Sequence, residues 1–233
     1  MAESNVLPAA PRQTAAEAVY RALKRDIITL QYRPGAALGE QALANTYGTS
    51  RVPVREACRR LQQEGLLMAI PYKGYFVSRI SPKEISDCFE LRAAIEHRAV
   101  ELAATRATEG DLERLSQLAG VEYTYHDRAS YVAFLDANLG FHLEVVSLSR
   151  NDRMLNVLRD LLVSMQRFFF LGLDLGDFGA EMRGEHELLV DHMRRRDVAA
   201  ASACAEAQIS SSFERIRRAL AANGHIEIPI NEV

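Results

Sequence analysis

The chain has 233 residues, 48% of them hydrophobic, with 28 Lys and Arg against 31 Asp and Glu. That length can bury a core in one large or two modest domains, and no run approaches the roughly 18 apolar residues of a membrane span. The net charge of −3 hides an asymmetry: residues 1–79 hold 11 Lys and Arg against 6 Asp and Glu, and residues 80–233 hold 17 against 25, so phosphate contacts suit the first part and not the second.

The opening MAESNVLPAAPRQ has no basic stretch followed by an apolar one, so it does not read as a secretory signal. Residues 1–12 read as a short disordered arm. Cys58, Cys88 and Cys204 are odd in number and form no CxxC, which points to reduced thiols and a cytoplasmic location, with no membrane partner.

In chain order, Thr14–Leu30 comes first as an amphipathic helix with Val19, Leu23, Ile27 and Ile28 on its apolar face. Arg33-Pro34-Gly35 is a turn, with Arg33 either a phosphate contact or a loose surface arginine. Leu38–Tyr47 is a short helix with Leu38, Ala42 and Leu43 apolar, ended by Gly48. The stretch Thr49–Gly65, TSRVPVREACRRLQQEG, predicts a second helix. Thr49-Ser50 supplies an N-cap hydroxyl, Pro53 lies in the first turn, and Gly65 stops the helix. Val54, Ala57, Cys58 and Leu61 form one stripe, and Arg51, Arg55 and Arg59 lie four apart on another. Two short helices joined by a tight glycine turn are a helix-turn-helix, with the second helix placed to read the major groove. Leu66–Ile70 and Tyr75–Val77 flank Pro71-Tyr72-Lys73-Gly74 as a hairpin. This makes residues 13–79 a winged helix with Lys73-Gly74 at the wing tip.

Ser81-Pro82-Lys83-Glu84 reads as a capping box with proline at the first helical position, which puts a domain boundary near residue 80. From there to residue 223 the pattern is helical: Pro82–Thr108, residues 109 or 111 to about 126, Ser130–Leu148, a helix capped by Asn151-Asp152 and ending near Leu173, a Gly/Asp-rich loop over Gly172–Gly179, Phe178–Arg196, and a last helix capped by Asp197 and running to Ala222. The fold class is mainly α: an N-terminal winged helix-turn-helix plus a C-terminal all-α antiparallel bundle of six helices over 80–223, then an irregular tail at 224–233. Ligand sites in such bundles lie between facing helices.

RPGAALGE, LANTYGTSRVPVREACRRLQQEGLL and KGYFV resemble the DNA-binding domain of the GntR family of bacterial transcription regulators. The resemblance implies that Arg51 and Arg55 contact DNA from the reader helix and that Gln41, Ser50 and Gly74 are also at contact positions; Thr49 and Lys73 adjoin these as further candidates. The second half is similar to the ligand-binding FCD domain of the FadR subgroup, on ELRAAIE (90–96), NLGFH (138–142), SRN (149–151), EHELL (185–189) and RDVAAA (196–201). Many FCD domains hold a divalent metal on an Asp and three His. At the matching positions this chain has Asn138, His142, His186 and Gln208. Asn138 and Gln208 depart from the pattern and are weak ligands for first-row metals, so zinc or nickel would be held only weakly. Arg92, in ELRAAIE, either binds an effector carboxylate as a fork or pairs with Glu96 four residues on. His97, His126 and His225 show no pairing in the sequence.

No nucleophile, base and acid set and no phosphate loop is present, so the chain is not read as an enzyme. The expected function is a ligand-responsive DNA-binding regulator, by family a repressor, acting as a homodimer on a near-palindromic operator and sensing a small organic acid through Arg92, Asn138, His142 and His186. A metal-responsive regulator and, further off, a metal-dependent hydrolase are the alternatives.

Overall fold

The computed structural model describes residues 14–222; the arm at 1–12, the tail at 224–233 and His225 lie outside the described residues. The first helix, α1 (Ala15–Ile28), starts where the Thr14 hydroxyl accepts from Glu17 N at 3.2 Å. It buries Val19, Tyr20, Leu23, Ile27 and Ile28, and packs on α3. Then come β1 (Ala37–Leu38), α2 (Glu40–Thr46), α3 (Arg51–Gln63), β2 (Leu67–Ile70) and β3 (Gly74–Val77). The sheet order is β1-β3-β2, all antiparallel, with Leu38 opposite Tyr75 and Met68 opposite Phe76. The wing is therefore three-stranded rather than the expected two-stranded hairpin.

Two glycines set the turns. Gly48, between α2 and α3, has φ +62°, and Gly65, after α3, has φ +73°. A Cβ added at either would meet nothing within 4 Å, so a side chain there costs backbone strain alone. Gly65→Ala is expected to lose about 1–2 kcal/mol of stability, the cost of a left-handed L-residue, read as a lower urea midpoint at unchanged slope. An unchanged midpoint would mean that the turn relaxes. The expected hydroxyl cap of α3 is not made: Ser50 sits at the N-cap position but forms no side-chain cap bond, and Ala44 rather than Ala42 is the buried alanine of α2.

The bundle comprises α4 (Pro82–Arg106), α5 (Glu109–Ala119), α6 (Arg128–Leu148), α7 (Asp152–Leu175), α8 (Gly179–Arg194) and α9 (Val198–Ala222). Helix α4 packs on α9 and α6, α6 on α7, α5 on α6 and α8, and α8 on α9. Two boundaries differ from the sequence reading. Helix α5 stops at Ala119, well before His126, because Tyr123 is drawn inward: its ring meets Tyr131 and Phe134, and its hydroxyl accepts from Phe178 N at 2.6 Å. Helix α7 continues through Gly172 to Leu175, so the Gly/Asp-rich loop shrinks to 176–178; Gly172 faces Ile216 on α9, at a distance a Cβ would meet in ordinary contact. At the Ser81–Glu84 cap, Ser81 Oγ accepts from Glu84 N at 3.1 Å, and the Glu84 carboxylate, which the Ser81 backbone N–H also reaches, pairs with Arg167.

Helix α7 also joins the two halves. Val163 lies in the hydrophobic core of the winged helix with Val19, Leu23 and Leu61. One turn on, the buried Arg167 donates to Ser78 O at 2.6 Å and pairs with Glu84. Among the described residues no helix is long and apolar enough to cross a membrane.

Candidate nucleic-acid interface and bundle-core site

The predicted DNA contacts fall on one set of elements. Gln41 lies in the first turn of α2, Thr49 and Ser50 in the glycine turn, and Arg51 and Arg55 on the first two turns of α3; Lys73 ends the β2–β3 turn and Gly74 opens β3, and Arg33 precedes β1. All are exposed except Thr49, which is half-buried. Helix α3 buries Val54, Ala57, Cys58 and Leu61 and turns Arg51, Val52 and Arg55 outward. An arginine offers forked donors to a guanine edge, and an exposed Val52 offers an apolar surface for a thymine methyl. Tyr75 on the wing strand lies close enough to Glu40, Arg55 and Arg59 for their charges to act on its hydroxyl, which places the wing beside α3. The sequence reading missed Glu40. Its carboxylate holds both reader arginines: Oε2 takes Arg51 Nη2 at 2.9 Å and Arg55 Nη2 at 2.7 Å, and Oε1 takes Arg55 Nε at 2.8 Å. The Arg55 bond, joined by that of Arg51, keeps this carboxyl at about 2, well below the usual range.

The second site is the polar heart of the bundle. On α4, Arg92 and Glu96 share the buried stripe with Ile85, Phe89, Ala99 and Ala103. Arg92 Nε donates to Glu96 Oε2 at 2.8 Å, so the i,i+4 pair forms. The pair also reaches across to α6, where Arg92 Nη2 lies 3.0 Å from His142 Nε2 and the Glu96 carboxylate closes on His142 Nδ1. Arg92 Nη2 is also 3.2 Å from Nδ1, so the guanidinium lies along the ring edge, while the carboxylate beside Nδ1 favours the tautomer in which Nδ1–H donates to Glu96. From α8, His186 stacks on Phe141, with ring centroids 4.0 Å apart, and meets the His142 ring edge-on at 5.2 Å. Burial pushes the Glu96 carboxyl up, but Arg92 and His142 outweigh it and hold the group well below the usual carboxylate range. Burial lowers His142 despite Glu96, and lowers His186 strongly with the help of His142 and Arg92, which favours the uncharged form of both rings.

The four positions expected to hold a metal do not suit one. Arg92 puts a fixed positive charge beside both ring nitrogens of His142, and Glu96 already engages Nδ1. Gln208 donates its Nε2 to Glu185 O and, like Asn138, offers only a neutral amide oxygen. The set is thus short of the three or four strong donors a divalent ion takes. Among the described residues no group of three or more His, Cys, Asp or Glu could hold a metal ion. Asn138 has another property: its Oδ1 is buried and has no hydrogen-bond partner among the described residues. His97, expected to be unpaired, approaches the Ser202 hydroxyl at 3.2 Å and Glu101 at 3.7 Å.

A helix-turn-helix with a β wing and outward arginines, joined to a helical domain with a charged core, defines a DNA-binding regulator with a second, all-α domain. The chain belongs to the gntR family of bacterial regulatory proteins: that family's model matches residues 15–77, and the FCD domain model matches residues 87–211. It is 29% identical over 203 residues to the uncharacterized HTH-type transcriptional regulator YdhC of Bacillus subtilis, covering 86% of this chain and 90% of YdhC. It is 24% identical to the HTH-type transcriptional repressor RspR of Escherichia coli, covering 89% and 91%. The solved structure of E. coli McbR/YncC shares the fold at a TM-score of 0.70 and 22% identity, over 88% of this chain and 98% of that one. These domains and relatives are those of transcription regulators, not enzymes.

Proposed function

We propose that this transcription regulator acts as a repressor, as a homodimer on a near-palindromic operator, and that a small organic acid bound in the bundle core changes its affinity for DNA. One observation carries the effector reading. A fully buried guanidinium and two buried imidazoles meet between α4, α6 and α8, and one turn before His142 on α6 the buried amide oxygen of Asn138 has no partner among the described residues. Buried polar atoms are almost always satisfied, so Asn138 Oδ1 calls for a donor such as the hydroxyl of a hydroxy acid. Arg92 supplies the fork that a carboxylate fits. Holding the acid on Arg92 and Asn138, with His186 beside them and His142 bracing Arg92, needs no metal. The likeness to RspR, a repressor by name, supports repression. Pairing through two-fold symmetry follows from a single winged helix covering one half-site.

The test is a thermal-shift screen of small mono- and dicarboxylates, with and without a hydroxyl group, followed by operator binding. At least one acid is expected to raise the melting temperature of the wild type but not of Arg92→Gln, and to change DNA affinity. An effector must bind the two states unequally to shift them. An acid that stabilises the protein without altering DNA affinity removes the regulatory claim and keeps the pocket.

A further inference from the structure

The reader arginines do not stand free. Glu40 is the first residue of α2, and its side chain, only 17% exposed, faces α3 across the glycine turn. Both guanidiniums bring the same edge to it. Arg55 uses Nε and Nη2 at 2.8 and 2.7 Å, and Arg51 uses Nη2 at 2.9 Å with Nε at 3.3 Å. A guanidinium has five N–H donors in a flat fork. Spending the Nε–Nη2 edge on a carboxylate leaves the Nη1–Nη2 end turned away, with two parallel N–H bonds still to give. That end is the one that matches the O6 and N7 acceptors of guanine. The clamp also cancels one of the two positive charges, so the pair offers less to a bare phosphate than two free arginines would.

We propose that Glu40 is a positioning residue that sets the DNA specificity of this protein. It fixes Arg51 and Arg55 with their fork ends outward, for guanine, and suppresses their attraction to phosphates of arbitrary sequence. The proposal rests on α3 being the reader helix and goes beyond it in naming what orients the reader and which base it meets. The carboxylate acts as a buttress and stays in place on the operator, because the bonds to Glu40 and to guanine use different edges. Without it, two long cationic side chains sample many rotamers and must be ordered on binding.

The experiment uses a duplex selected by the full wild-type chain from a random pool, and a scrambled duplex of the same composition. Glu40→Ala is expected to weaken binding to the selected duplex by about tenfold, the scale of one good bidentate base contact. It should tighten binding to the scrambled duplex and steepen its salt dependence by about one charge. A role in folding alone would lower both affinities together and leave the salt slope unchanged. Glu40→Gln keeps one acceptor oxygen and should fall between. In wild type, replacing the contacted guanines by 7-deazaguanine removes N7 and should cost about tenfold at one position or more in each half-site; this arm works even if Glu40→Ala folds poorly. Unaltered discrimination in Glu40→Ala and Glu40→Gln overturns the positioning role, and indifference to 7-deazaguanine overturns the choice of base. Both results leave the reader helix itself to be judged by the arginine variants.

Discussion

An Arg51→Ala, Arg55→Ala double variant is expected to lose about 2–6 kcal/mol of operator binding, at about 1–3 kcal/mol for each arginine that contacts a base. The two side chains are 56% and 47% exposed, so the cost to folding should stay near the surface ion-pair scale of about 1 kcal/mol for each pair lost, well below the loss in operator binding. The loss should be less than the sum of the single variants if both arginines depend on one carboxylate, because neighbours that share a partner are not additive. Removing both arginines also leaves Glu40 unpaired on the face presented to the phosphates, where it repels them. Fluorescence anisotropy on a labelled operator at fixed salt, with unfolding curves of the same samples, measures both quantities. Full affinity in the double variant would sink the account of α3 as the reader.

Glu96→Ala is expected to destabilise the protein by about 3–5 kcal/mol, the cost of breaking a buried ion pair and leaving a charge behind. Arg92 and Glu96 side chains are 2% and 1% exposed, so water cannot replace the lost partner. The same variant frees His142 Nδ1–H of its acceptor. Glu96→Gln should cost less, since its amide oxygen still accepts. Replacing both members together, as in Arg92→Met with Glu96→Leu, should recover much of the loss, because an apolar pair of similar volume carries no stranded charge. Urea unfolding at pH 7.5 measures all three.

The same cluster sets the acid sensitivity. His142 and His186 take up protons less readily in the folded chain than in the unfolded one, so the unfolded chain binds more protons once pH falls below their ordinary value of 6.5. Stability should therefore decline from about pH 6.5 downward. Glu96 is also lowered, from an ordinary 4.5, so its contribution is complete above that value and is lost as pH falls through its folded value. A decline starting near pH 6.5 and steepening below pH 4.5 is the expected profile. Flat stability between pH 7.5 and 5 would show the histidines to be accessible and ordinary.

Much of the DNA-binding half was legible because its signals are local. The stripe at Val54, Ala57, Cys58 and Leu61 has helical period, and Gly48 and Gly65 mark turns that require positive φ. What escaped is not local. A two-residue strand, Ala37–Leu38, has no period to detect, and only its partner Phe76 defines it. The Ser50 cap was argued from residue type, but a hydroxyl in extended backbone need not turn back. Gly172 reads as a loop residue, yet one glycine inside an apolar helical stretch does not end the helix. In the bundle core the Arg92–Glu96 spacing was readable as a pair, whereas the junction with His142 joins residues 46 apart in the chain and depends on how α4 meets α6. That junction is why aligned positions alone do not define the ligand chemistry: what a histidine can bind depends on what its other neighbours already hold. Glu40 escaped for the same reason, being 11 and 15 residues from its two arginines.

Helix α7 contributes Val163 to one hydrophobic core and Phe168, Phe169 and Leu173 to the other, with Arg167 gripping the strand that leaves the wing. The guanidinium of Arg92 lies 5.8 Å from the ring of Phe169, so the same rod borders the charged core. Regulators of this modular kind invite recombination at the short connection around residue 80, as if the two halves were interchangeable cassettes. Here the seam in the sequence is not the seam in space. A hybrid cut at that connection would set Val163 and Arg167 against a foreign winged helix, which would have to bring its own apolar match for Val163 and place a carbonyl where Ser78 O now accepts from Arg167, with only Glu84 retained as the partner of that buried cation. A functional swap must therefore carry a matching patch of α7 along with the reader, and the inheritable unit of DNA specificity in this chain extends well past the end of the wing.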